Sequence, residues 1–130
     1  MKRLVKVLML AVVVGACFTA ASCPPTSPLY KTWAYDDGYA VETFLITSTL
    51  LNISLTGGYT GTAEATLDSH DEAAGHFQTT LTDTTGYYAS LFSGITILYW
   101  TYAITSGQLF INWSDAAYPA SPGTNPFDSL

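Results

Sequence analysis

Charge is scarce in this chain, and positive charge scarcest of all. Charged residues make up 11% of its 130 positions, less than half the usual share of about 25%. Four Lys and Arg stand against ten Asp and Glu, which excludes a nucleic-acid binder, since that function needs a basic face. Two cysteines are too few for a cysteine-rich metal module. No Gly-x-Ser-x-Gly elbow is present, and Gly57-Gly58 is followed by neither the Lys nor the helix of a phosphate cradle, so neither nucleophilic nor phosphate chemistry has a recognisable seat. No enzyme and no cofactor are expected. Only one long apolar run occurs, at the N-terminus. What the chain does have is 48% hydrophobic and 14% aromatic residues, enough apolar surface to offset the entropy of ordering and to exclude disorder.

The N-terminal run, residues 1–22, reads as a secretory signal helix. Lys2, Arg3 and Lys6 form a positive leader, Leu4 to Val14 an apolar core, and small residues follow. The stretch is short for a membrane span, and no basic stop-transfer cluster comes after it. Val14-Gly15-Ala16-Cys17 resembles a bacterial lipobox, and Ala20-Ala21-Ser22-Cys23 a looser one. In bacterial lipoproteins such a cysteine takes a diacylglyceryl group and becomes the new N-terminus. Cys17 has the better upstream residue in Val14. Its use would leave Cys23 as a lone thiol in an oxidising compartment, which tilts the choice towards Cys23. A Cys17–Cys23 disulfide in an uncleaved chain is the third alternative. Residues 23–29, with Pro24, Pro25 and Pro28, read as an extended tether. The expected setting is the bacterial cell envelope, with a palmitate-type anchor holding the head to the bilayer. After Cys23 one basic residue remains against ten acids, a formal charge of −9, so surface charge would repel anionic lipid and the covalent lipid must do the holding.

Residues 30–115 read as an all-β domain. Eighteen threonines and nine tyrosines follow Cys23, and both residue types favour strands. Turn signals recur at short intervals: Asp36-Asp37-Gly38, Gly57-Gly58, Gly75, Asp83 to Gly86, Ser93-Gly94 and Ser106-Gly107. Between them lie alternating segments, such as Ala40, Glu42, Phe44 and Ile46 against Val41, Thr43 and Leu45. Tyr39-to-Thr47 pairs with Leu29-to-Tyr35 across the Asp-Asp-Gly turn, a hairpin signal. Tyr87 to Phe92 reads either as a strand or as a short helical turn over a barrel mouth. Seven or eight strands with short turns predict a small up-and-down antiparallel meander barrel, with a two-sheet sandwich as the alternative. Residues 116–130, with Pro119, Pro122 and Pro126, are expected to lack regular structure.

The stretch Ile95 to Ile104 is apolar on both faces. Its outward aromatics either pack under the tail or form an exposed partner patch. Asp68, His70, Asp71, Glu72 and His76 make up the one cluster of metal-type donors. The spacing is not that of a zinc helix, so a charged, solvated hairpin loop accounts for His70 and His76 better than a metal site does. Adjacent Asp36 and Asp37 suit a turn rather than acid–base chemistry.

Three stretches carry a family resemblance: TWAYDDGY running into ETFLITSTLL, then GGYTGTAEA, then ILYWTYAITSGQLFINWSDAAYP. Together they resemble the small lipocalin-like lipoproteins of spirochaetes and related bacteria, in which a lipobox and short linker precede a compact meander barrel. The lipocalin Gly-x-Trp is represented by Lys31-Thr32-Trp33, which keeps the Trp and lacks the Gly. The chain is also shorter than true lipocalins, which leaves little room inside. The resemblance implies surface placement and a capacity for ligand binding, without a reaction. The expected head is a binding or interaction module, with Trp33, Tyr99 and Trp100 holding a small apolar or aromatic ligand at the barrel mouth. The contrasting expectation is an antigen-like or adhesin-like surface protein whose barrel is filled by its own side chains.

Overall fold

In the computed structural model, residues 27–130 are described; the expected signal at residues 1–22, with Cys17, and Cys23 lie outside the described residues. Eight antiparallel strands follow one another around a closed barrel: β1 (Thr32–Asp36), β2 (Ala40–Ile46), β3 (Leu50–Gly57), β4 (Gly61–Asp71), β5 (His76–Thr85), β6 (Ile97–Thr105), β7 (Gln108–Ser114) and β8 (Phe127–Ser129). A six-residue helix, α1 (Gly86–Leu91), joins β5 to β6. This is the expected meander barrel, not the sandwich. Closure gives every described strand a neighbour on both sides, although β8 is short and pairs with only part of β1 and β7.

Alternation built the wall. On β4, Ala63, Ala65 and Leu67 are buried while Thr62, Glu64 and Thr66 are exposed. On β3, Leu51 and Ile53 are buried. The interior is aromatic: Phe77 stacks on Trp100, and Phe44 meets Trp100 and Phe127 edge-on. Two register shifts between β4 and β5 set which residues face in. The second, between Leu67 and Ser69, skips Asp68 and brings His70 opposite the buried Phe77. A bulge of this kind re-aims every side chain beyond it.

Three expectations need correction. The tail is not wholly irregular: β8 pairs with both β1 and β7 and closes the barrel. Pro126 stands just before it, where no ladder N–H is required. Of the expected tether 23–29, residues 27–29 are described and belong to the barrel, since Leu29 is fully buried and Ser27 nearly so; a lone Leu beside prolines carries no pattern of its own, yet the barrel mouth supplies an apolar seat for it. Finally, His70 and Asp71 lie in β4 rather than on a loop. Of the two readings for Tyr87 to Phe92, the helical turn holds: Tyr87 to Leu91 lie in α1 and Phe92 caps its C-terminus.

Because the strands alternate in direction, their connections sort to two ends. Residues 27–31 share one end with the turns at 47–49, 72–75 and 106–107; the other end carries the turns at 37–39 and 58–60 together with α1. Gly86 lets α1 sit tightly there. Its φ is +56°, and a Cβ would fall 2.2 Å from the Thr60 carbonyl oxygen. No described helix is long and apolar enough to cross a membrane.

Candidate functional site at the tyrosine-bearing end of the barrel

The residues expected to hold a ligand do not converge. Trp33 and Trp100 are each 1% exposed. The Trp33 indole N–H donates to the Leu29 carbonyl at 2.9 Å, and that of Trp100 to Thr79 Oγ1 at 2.9 Å. Both rings are core, with their polar atoms satisfied internally. Tyr99 lies on the outer wall, edge-on to Tyr118 of the tail. The tail covers that wall: Thr101 Oγ1 donates to the Pro119 carbonyl at 2.7 Å. The apolar outer face of β6 is therefore packed under the tail, the plainer of the two explanations.

His70 and His76 also part company. His70 pairs with Phe77 on the inner face and Asp71 with His76, so the two imidazoles point to opposite sides of the sheet. His76 stacks on Tyr118 with centroids 4.2 Å apart. Both His70 nitrogens are engaged, Nδ1 with the Tyr30 hydroxyl at 2.8 Å and Nε2 with the Tyr102 hydroxyl at 2.6 Å. One ring nitrogen donates and the other accepts, whichever carries the proton. Among the described residues no three metal-type side chains gather in one place. The Tyr30–His70–Tyr102 clasp closes the first end, reinforced by Ser27 Oγ donating to Glu72 at 2.6 Å. Burial first, then the Glu72 charge, pushes the Tyr102 phenol up to about 12.

The opposite end is built differently. Its plug is Tyr88 of α1, 1% exposed, whose hydroxyl donates to the Glu42 carboxylate. An isolated six-residue helix has no stability of its own. This one is held by stacking of Tyr88 on Phe92 and by Phe92 edge-on to Trp113. Glu42 shares the inward face of β2 with the buried Ala40, Phe44 and Ile46. Burial raises its carboxyl above the usual range, with the Tyr88 bond pulling the other way.

Beside Glu42 the wall is incomplete. β8 pairs with only two residues of β7, Gln108 and Leu109, and two of β1, Trp33 and Ala34. Beyond that level the gap is bridged by irregular residues of the tail. A cleft of about 310 Å³ opens there, with Glu42, Trp113, Asn112, Thr124 and Asn125 among its lining and Phe44, Trp100 and Phe127 at its floor.

On the outside of the same end, three tyrosines touch. Tyr39, Tyr59 and Tyr87 are 62%, 56% and 43% exposed. Tyr59 contacts both neighbours at ring-centroid distances of 5.6 Å. Two come from hairpin turns and one from α1, so it is the pairing of strands distant in sequence that assembles them. Asp36 and Asp37 sit alongside in the first turn, where Asp37 Oδ1 accepts the backbone N–H groups of Tyr39 and Ala40, each at 2.8 Å. Those bonds hold the Asp37 carboxyl below its ordinary value.

The fold and this end of it define an acidic, aromatic-filled, closed meander barrel with one sealed mouth and one decorated mouth. Compared with known proteins, the chain matches no family model, and no curated protein or solved structure matches it significantly. Sequence reasoning missed Glu42, Tyr88 and the tyrosine cluster. A carboxylate alternating with Ala40, Phe44 and Ile46 was the available signal for the first; nothing local marks the others.

Proposed function

We propose that the protein is a lipid-anchored bacterial envelope lipoprotein whose barrel head is an interaction module, meeting its partner through the tyrosine-bearing end. The observation that carries this reading is polarity along the barrel. The chain enters at the sealed end, through Ser27 and Leu29, and the exposed tyrosines lie at the other. A head tethered at Cys17 or Cys23 would then present Tyr39, Tyr59 and Tyr87 away from the bilayer. Tyrosine suits contact surfaces because it offers a large rigid face at small entropic cost. A barrel filled by Trp33, Phe77 and Trp100 favours the surface-interaction alternative over an apolar ligand held deep inside. The resemblance to small lipocalin-like lipoproteins supports the envelope setting.

The test has two arms in cells making the full chain. Radiolabelled palmitate is expected to mark the wild type and not a Cys17→Ser/Cys23→Ser double variant; equal labelling of both rejects the anchor. A photo-crosslinking residue at position 59 is expected to give a discrete adduct that Tyr39→Ser/Tyr87→Ser abolishes. An adduct formed instead from an outer-wall position such as Thr66, and unaffected by the rim changes, rejects the tyrosine end as the contact surface.

A further inference from the structure

We infer that the lateral cleft beyond β8 is a binding site for a small organic ammonium ion. The argument begins with charge. Glu42 is the one charged residue among those lining the cleft. Among the described residues the only Lys or Arg is Lys31, just before β1 at the sealed mouth, and its Nζ lies 5.6 Å from the centroid of the Trp33 ring. Glu42 therefore lines the cleft with the Tyr88 hydroxyl as its one side-chain hydrogen-bond partner among the described residues. A partly desolvated carboxylate without a counter-charge is costly, and a cation beside it offsets that cost.

The remaining lining suits the same guest. An ammonium group has only donors to offer. Thr124 and Asn125 of the tail line the cleft with acceptor-bearing side chains, beside Asn112, whose Oδ1 also accepts the Trp113 backbone N–H at 2.9 Å. Trp113, which is partly exposed, lines the cleft, and tryptophan is the best of the aromatic partners for a cation. Trp100, Phe44 and Phe127 make an apolar floor that an alkyl chain can cover. The volume, about 310 Å³, is at the lower limit of small-molecule sites. It fits an amine of a few carbons and excludes a fatty acid. Anions are disfavoured twice, by Glu42 and by the net acidity of the head, which also concentrates cations around it. The site is separate from the tyrosine cluster on the outside, so it stands or falls independently of the partner contact.

The probe is n-butylammonium, titrated calorimetrically into the full chain in detergent, with butyrate, n-butanol and glucose as comparisons. Saturable one-to-one binding of butylammonium is expected, with none by butyrate and markedly weaker binding by butanol. Glu42→Gln is expected to weaken binding by about tenfold or more, as for loss of a charge-assisted bond. Tyr88→Phe keeps the carboxylate and should bind within about threefold of the wild type by the same reasoning. Asn125→Asp, on the exposed rim, adds a second carboxylate and should tighten binding whether or not Glu42→Gln folds. The inference is overturned if butylammonium does not saturate, if butanol or glucose binds as well as the amine, or if Asn125→Asp leaves amine binding unchanged.

Discussion

The two mouths of this barrel are closed by opposite means. At the sealed end a piece of the chain, Ser27 to Lys31, folds back over the opening. Leu29 fills the apolar space, and the polar atoms around it pair within the protein: Trp33 with the Leu29 carbonyl, Ser27 with Glu72, and Tyr30 and Tyr102 with His70. At the other end a single side chain, Tyr88, descends from a short helix and meets one carboxylate. The short β8 leaves a cleft beside it, and three tyrosines remain outside in solvent. The sealed end has used its polar groups on itself. The decorated end keeps acceptors and aromatic faces available, which is what recognition requires.

Substitutions can break this contrast, and the largest effects should come from residues both ends depend on. Phe127 is buried against Tyr35 and Phe44 and belongs to the strand that closes the barrel. Phe127→Ala should cost about 3–5 kcal/mol in denaturant unfolding and reopen the edges of β1 and β7. Leu29→Ala tests the seal alone and should cost about 2–5 kcal/mol. If residues 23–29 were a mere tether, the change would be close to neutral.

The next effect down compares the two polar devices. His70→Phe leaves the Tyr30 and Tyr102 hydroxyls without their partner and should destabilise by about 1–3 kcal/mol. At the decorated end, Tyr39→Ser and Tyr59→Ser should change stability by no more than about 0.5 kcal/mol, as expected of exposed positions. Equal losses at both ends would erase the distinction drawn here.

The smallest expected effects are in pH dependence, and they run in opposite directions. Burial raises the folded-state value of Glu42, so its contribution favours folding below the ordinary Glu value and is lost as pH rises through the raised one. Asp37 is held low by the Ala40 and Tyr39 amides, so its contribution is present above the ordinary Asp value and lost as pH falls through the lowered one. Unfolding midpoints measured across the acidic range should therefore lose their decline on the rising side in Glu42→Gln and lose their acid-side drop in Asp37→Asn.

Much of the wall was legible in the chain, because a strand with one face buried must alternate. Ala63, Ala65 and Leu67 against Thr62, Glu64 and Thr66 is such a pattern, and the burial follows it. The Asp36-Asp37-Gly38 turn was legible for a similar reason: Gly38 takes a φ of +84° that its residue type permits at no steric cost. β8 was not legible, since three residues after Pro126 carry too little pattern to register as a strand. The placing of His70 was hidden too. It depends on a bulge at Asp68, a property of two strands in register rather than of either one.

For the site the sequence was weaker still. It singled out the large aromatics Trp33 and Trp100, which turned out to be core, and passed over Glu42, whose position among apolar neighbours is its distinguishing mark. Local periodicity and turn chemistry determined that this chain would form short antiparallel strands around an aromatic interior, because those forces act between residues close in sequence. Which tail residues would close the ring, which mouth would seal, and which carboxylate would face a gap were decided only in three dimensions. Each depends on groups tens of residues apart, such as Glu42 and Tyr88 or Tyr30 and His70, whose meeting no local signal encodes.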